Sequence, residues 1–84
     1  MTAKAILFTS PTCGPCKAMK PVATEAADKA GIPLEVTEVG AKSPEVASFA
    51  IRAVPTLVLL DPNNKEMKRL VGVQTREALE KFFA

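Results

Sequence analysis

Eighty-four residues leave room for a single small domain, residues 1–84, and exclude a two-lobed enzyme with a cleft between domains. Apolar residues make up 48% of the chain and charged ones 24%, enough to bury a core and too apolar for compositional disorder. The formal charge of +2, from eleven basic and nine acidic residues with no basic run, excludes an electrostatic footprint for DNA or RNA.

The chain-order reading starts with Ala5-Ile6-Leu7-Phe8, a continuous apolar run ended by Thr9-Ser10-Pro11-Thr12, the pattern of a strand buried on both faces and followed by a loop. From Cys16 onward, Met19, Ala23, Ala26 or Ala27, and Ala30 recur at helical steps, predicting an amphipathic helix that stops at Gly31 before Pro33. Pro21 lies inside it and lacks the N–H that would bond to Lys17, so a bend is expected there. Leu34 to Val39 alternates apolar and polar residues, as in an edge strand or one with a solvated face. Ser43 is a helix cap with Pro44 in the first turn, and this second helix must stop before Pro55, which drives Val54 into an extended conformation. Thr56 to Leu60 is a second apolar strand, joined through the turn residues Asp61 to Lys65 to a fourth strand, Glu66 to Val71. Gly72 marks a bulge or a close backbone approach, and Thr75 caps a last helix that buries Ala78, Leu79, Phe82 and Phe83.

The expected fold is α/β, in the order β-α-β-α-β-β-α. The two apolar strands belong at the centre of a four-stranded mixed sheet and the charged ones at its edges, giving the spatial order 2-1-3-4. Three helices flank it, the first and last on one face and the middle one on the other.

Several chemistries are absent from the outset. Without histidine there is no imidazole base, no Cys-His pair and no His-containing metal site. With two thiols alone, no metal ion and no organic cofactor are expected. The longest apolar run, Val54 to Leu60, carries Pro55 and Thr56 and falls well short of the roughly 20 residues of a membrane helix. The start of the chain offers only Ala5 to Phe8 as an apolar segment, too short for an export signal, so a soluble, cytoplasmic, monomeric protein is expected.

What remains is sulfur. Cys13 and Cys16 are the only cysteines, and Cys13-Gly14-Pro15-Cys16 falls between the end of a central strand and the opening of a helix. Residues at this spacing lie on one helix face with Cα atoms near disulfide separation. Pro15 fits the first turn, where its missing N–H costs nothing, and Gly14 lets the backbone tighten around the sulfurs. The free N–H of Cys16 and the positive helix end favour a thiolate on Cys13, with a small addition from Lys17. Cys13 is therefore the expected nucleophile, and the more buried Cys16 the resolving thiol.

At these residues the chain resembles the thioredoxin family, in a minimal form close to glutaredoxins and to small archaeal or phage thioredoxins. Cys13-Gly14-Pro15-Cys16, then Lys17 and Pro21, is similar to that family's active-site helix. Val54-Pro55-Thr56 resembles its cis-proline element, which offers backbone groups to an extended substrate, and Gly72 resembles the glycine that completes the substrate groove. The resemblance implies a thioredoxin fold and an enzyme that reduces protein disulfides through a mixed disulfide on Cys13. It also implies reducing equivalents from a thioredoxin reductase or a similar donor. The Gly-Pro insert, with no histidine between the cysteines, resembles the reducing members.

The departures are Thr12, where thioredoxins commonly carry tryptophan, and Leu7, where they bury an aspartate that helps deprotonate the resolving thiol. Thr9, Thr12 or a water is left to assist Cys16. Glutaredoxins have an acidic residue after the glycine near the last helix; here Val73-Gln74-Thr75 follows Gly72, which disfavours glutathione as the donor. Two alternatives remain: a glutaredoxin-like, glutathione-dependent reductant, and a non-catalytic module that docks a partner through the surface around Cys13, Val54 and Gly72.

Overall fold

A computed structural model describes residues 3–39 and 48–84. Strands β1 (Lys4–Thr9), β2 (Leu34–Glu38), β3 (Thr56–Leu60) and β4 (Glu66–Val71) form one sheet in the order β2-β1-β3-β4. Helix α1 (Gly14–Ala30) connects β1 to β2, and α2 (Arg76–Phe83) follows β4. β1 and β2 are parallel, as a helical crossover requires, while β1–β3 and β3–β4 are antiparallel.

The expected sheet order is therefore observed, with the apolar strands inside. Ala5 through Thr9 and Thr56 through Leu60 are buried without interruption, whereas β2 and β4 have no fully buried residue. The helix expected from Ser43 falls largely outside the described residues; Ser48 is helical and is followed by a turn. Among the described residues there are thus two helices, where the sequence predicts three.

Side chains alternate across the central strands and divide the core in two. Ala5, Leu7, Leu57 and Leu59 pack with Met19, Ala23, Ala26 and Ala27 of α1 and with Leu79, Phe82 and Phe83 of α2. Ile6, Phe8, Val58 and Leu60 face the other way, against Val39, Phe49, Ile51 and Val54. The first and last helices therefore share one face, as their apolar stripes require.

Helix α1 runs unbroken through Pro21 and ends at Gly31, whose φ of 72° is the left-handed conformation that glycine adopts without steric penalty. The Gly31 N–H bonds back to Asp28 and the Ile32 N–H to Ala27, closing the helix end. The β3–β4 ladder carries its irregularity at Leu59/Leu60 rather than at Gly72. Nor is Gly72 needed for a close approach, since a Cβ there would meet nothing within 4 Å; its φ of 89° is what favours glycine, and its N–H donates to the Pro55 carbonyl at 2.8 Å.

Candidate functional site

Strand directions bring three separated segments to one end of the sheet. β1 ends at Thr9, beside the point where its antiparallel neighbour β3 begins, since Phe8 pairs with Thr56; Thr56 in turn pairs with Val71, the last residue of β4. The loop after Thr9, the Val54-Pro55 step before Thr56 and Gly72 after Val71 therefore converge. The Val54–Pro55 peptide is cis.

The loop after β1 is a tight turn. Cys13 donates its N–H to the Ser10 carbonyl at 3.0 Å, and the Ser10 and Thr12 hydroxyls lie 3.1 Å apart. This sets Cys13 in an extended conformation as the N-cap of α1, the position where a side chain can accept from the first free amides of a helix. The acceptor here is sulfur: the Cys16 N–H donates to Cys13 Sγ at 3.1 Å.

Cys13 and Cys16 are joined in a disulfide with a Cα–Cα separation of 5.3 Å, within the usual range for such a bridge. They differ in exposure. Cys16 is 2% exposed, whereas Cys13 is only partly buried and is flanked by exposed Thr12, Gly14 and Pro15. No acidic residue lies in the first turn to oppose negative charge on Cys13.

Gly14 does less than its place suggests. A Cβ built there meets nothing within 4 Å, so it leaves the surface beside the sulfurs bare rather than letting the backbone close around them. Thr56 is turned inward, 2% exposed, and its hydroxyl donates to the Ala53 carbonyl at 2.7 Å, which holds the turn before the strand. Pro55 is buried and bonded to Gly72, while Val54 is half-buried above the second core cluster. Lys17 is exposed on α1.

A groove of about 190 Å³, open to solvent, runs beside Cys16 and is lined by Thr9, Cys16, Lys17, Lys20, Val36 and Glu38 among others, the last four of these being exposed. Lys20 is exposed on α1 and Glu38 on the edge strand, as the sequence predicts, but their place beside Cys16 is not predicted. The signal was available in the alternation. Parallel pairing of the first two strands sets Thr9 beside Glu38 and Leu7 beside Val36, so both β2 residues lie on the α1 face.

Among the described residues, no group of three or more His, Cys, Asp or Glu is placed to hold a metal ion. None of their helices is long and apolar enough to cross a membrane.

The family model described as Thioredoxin matches residues 2–84. A thioredoxin from Alicyclobacillus acidocaldarius is 36% identical over 75 residues, covering 87% of this chain and 70% of that protein. A segment of NADPH-dependent thioredoxin reductase 3 from Arabidopsis thaliana is 30% identical over 78 residues, covering 92% of this chain but only 15% of that much longer protein. Among solved structures, a point-mutant thioredoxin from Halobacterium salinarum superimposes with a TM-score of 0.87 at 26% identity, covering 96% of this chain and 71% of that one. With its cysteines bridged at the mouth of α1 and the family model matched over nearly its whole length, the chain belongs to the thioredoxin family of thiol–disulfide oxidoreductases.

Proposed function

We propose that this protein reduces disulfide bonds of other proteins by dithiol exchange. The observation that carries the reading is the asymmetry of the pair: an accessible sulfur capping a helix, bonded to a buried one. In the reduced protein, the Cys16 N–H and the positive end of α1 stabilise a Cys13 thiolate. That thiolate attacks one sulfur of the substrate disulfide, expelling the other as a thiolate and forming a mixed disulfide. Cys16, once deprotonated, attacks Cys13 Sγ and expels the second substrate thiolate. Two electrons pass to the substrate, and the Cys13–Cys16 bridge forms.

Thr12, Gly14, Pro15 and Lys17 border the attacking sulfur in this reading. Val54, Pro55 and Gly72 form the wall along which an extended substrate segment lies, with Thr56 holding that wall from inside through its bond to Ala53. The electron donor is a thioredoxin reductase, a reading supported by the likeness to a segment of the Arabidopsis reductase. The protein acts as a cytoplasmic monomer, and the fold is taken in its three-helix form.

The test is insulin reduction driven by NADPH with either thioredoxin reductase or glutathione and glutathione reductase. Turnover with thioredoxin reductase is expected. Turnover with the glutathione system alone would replace the reading with a glutaredoxin-like one. No turnover with either donor, together with undiminished cellular function when both cysteines are serine, would replace it with partner docking.

A further inference from the structure

Resting on that function, we infer that Glu38 accepts the proton that the Cys16 thiol must lose before it attacks the mixed disulfide, through water in the groove between β2 and α1. The thiolate is the attacking species, yet Cys16 is 2% exposed, and the helix-end amide that would stabilise its charge is directed at Cys13. A thiol shut away from water gives up its proton reluctantly, so the second step gains from a base. The sheet supplies none at Leu7, which is apolar and fully buried. The hydroxyls of Thr9 and Ser10 line the groove but are too weakly basic to hold the proton.

Among the described residues, Glu38 is the one carboxylate lining that groove. Its register beside Thr9 sets it on the α1 face of the sheet, one alternation beyond Val36, which pairs with Leu7. The space, about 190 Å³, opens to solvent, so water reaches both Cys16 and Glu38, with Thr9 and Ser10 as further hydrogen-bonding partners. The other titratable groups on it are Lys17 and Lys20, both from α1, and their positive charge favours the thiolate once it forms. The lining residues from β1 and its loop, Thr9, Ser10 and Pro11, carry no charge.

The Cys16 S–H proton passes through water to the Glu38 carboxylate, and the Cys16 sulfur bonds to Cys13 Sγ. The bond from Cys13 to the substrate sulfur breaks, and the departing thiolate takes up a proton from solvent, to which Glu38 returns its own.

Stopped-flow mixing of the reduced protein with an aromatic disulfide whose thiol product is coloured separates the two steps: the first thiol released reports attack by Cys13, the second reports attack by Cys16. Glu38→Gln is expected to slow the second release about tenfold near pH 7, below the roughly 10²- to 10⁴-fold of direct proton transfer because water intervenes. The deficit should shrink as pH rises, because hydroxide then takes the proton without Glu38. Added acetate should restore the rate, and Glu38→Asp should keep most of it. The first release should be unchanged. Glu35→Gln, on the same strand but paired with Ile6 and facing the opposite side, serves as the control.

A second release as fast in Glu38→Gln as in the unaltered protein overturns the inference and leaves the proposed function standing. So does a slowing that is uniform across pH and insensitive to acetate. Failure of the unaltered protein to form any mixed disulfide overturns both.

Discussion

The two ends of α1 are built on opposite plans. At its start, exposed Thr12, Gly14 and Pro15 surround a half-buried Cys13, a groove opens beside Cys16, and a sulfur atom takes the place of the usual oxygen cap. Toward its end, Met19, Ala23, Ala26 and Ala27 are sealed against the sheet and α2, Gly31 closes the last turn, and ion pairs run from Glu25 to Arg76 and from Lys29 to Glu80. One end is left open so that sulfur can meet another molecule. The other is packed so that the opening does not cost the helix its position. Small alanine side chains let α1 lie close to the sheet there, where a longer residue would force it outward.

If this division is right, changes at the open end alter chemistry and changes at the packed end alter stability. The largest expected effect is that of Cys13→Ser, which should abolish insulin reduction while leaving the fold intact by circular dichroism. Cys16→Ser should instead accumulate a covalent complex with substrate, visible on a non-reducing gel. A complex trapped by Cys13→Ser and absent from Cys16→Ser would reverse the two roles.

Next in size is the packed end. Leu79 is fully buried between α2 and the sheet, and Leu79→Ala should lower unfolding free energy by about 2–5 kcal/mol in urea titration. Exchange rate per folded molecule should stay within a factor of about two, because the residue is not in the convergent loops. A large loss of that rate at full folding would show that the two ends are coupled. Thr75, whose hydroxyl accepts from the Ala78 N–H at 3.1 Å, caps α2. Thr75→Ala should cost about 1 kcal/mol, read in the same titration.

The smallest effect concerns the ion pair between the helices. Hydrogen bonding from Arg76, then its positive charge, holds the Glu25 carboxyl below its ordinary value of 4.5. A lowered folded value means that the unfolded chain binds more protons in this range. The pair's contribution is therefore whole above the unfolded value and fades as pH falls through the folded one. Glu25 is fully exposed, so the contribution is small and screened by salt. Glu25→Gln should lower the melting temperature slightly at pH 7 in low salt, with the difference shrinking as pH falls below 4.5 or as salt is raised to about 1 M.

Much of the site was legible because it is local. Cys13-Gly14-Pro15-Cys16 lies within one turn of one helix, so spacing alone implies a bridging distance, and the flanking strand and helix patterns imply where the turn sits. Gly72 and Pro55 were legible by their residue types, but that the N–H of one bonds to the carbonyl of the other, far apart in the chain, depends on the β3–β4 hairpin and its register. Gly14 does not provide the backbone freedom its residue type suggests: it is the first residue of α1, with no positive φ, and its bare Cα serves exposure instead. Glu38 is an exposed edge-strand charge, as its alternation predicts; that it borders the same groove as Cys16 follows only from its register beside Thr9.

Residue order by itself determined the strands, the helix limits at Gly31 and Thr75, and the presence of paired thiols, because each depends on contacts within a few positions of the chain. Tertiary structure alone decided how deeply each sulfur lies, with Cys16 sealed to 2% exposure and Cys13 left partly open. It also decided which carboxylate shares a groove with Cys16, and that three distant segments meet at one edge of the sheet. Those outcomes depend on strand pairing, and pairing is selected by the burial of the whole apolar surface rather than by any local stretch.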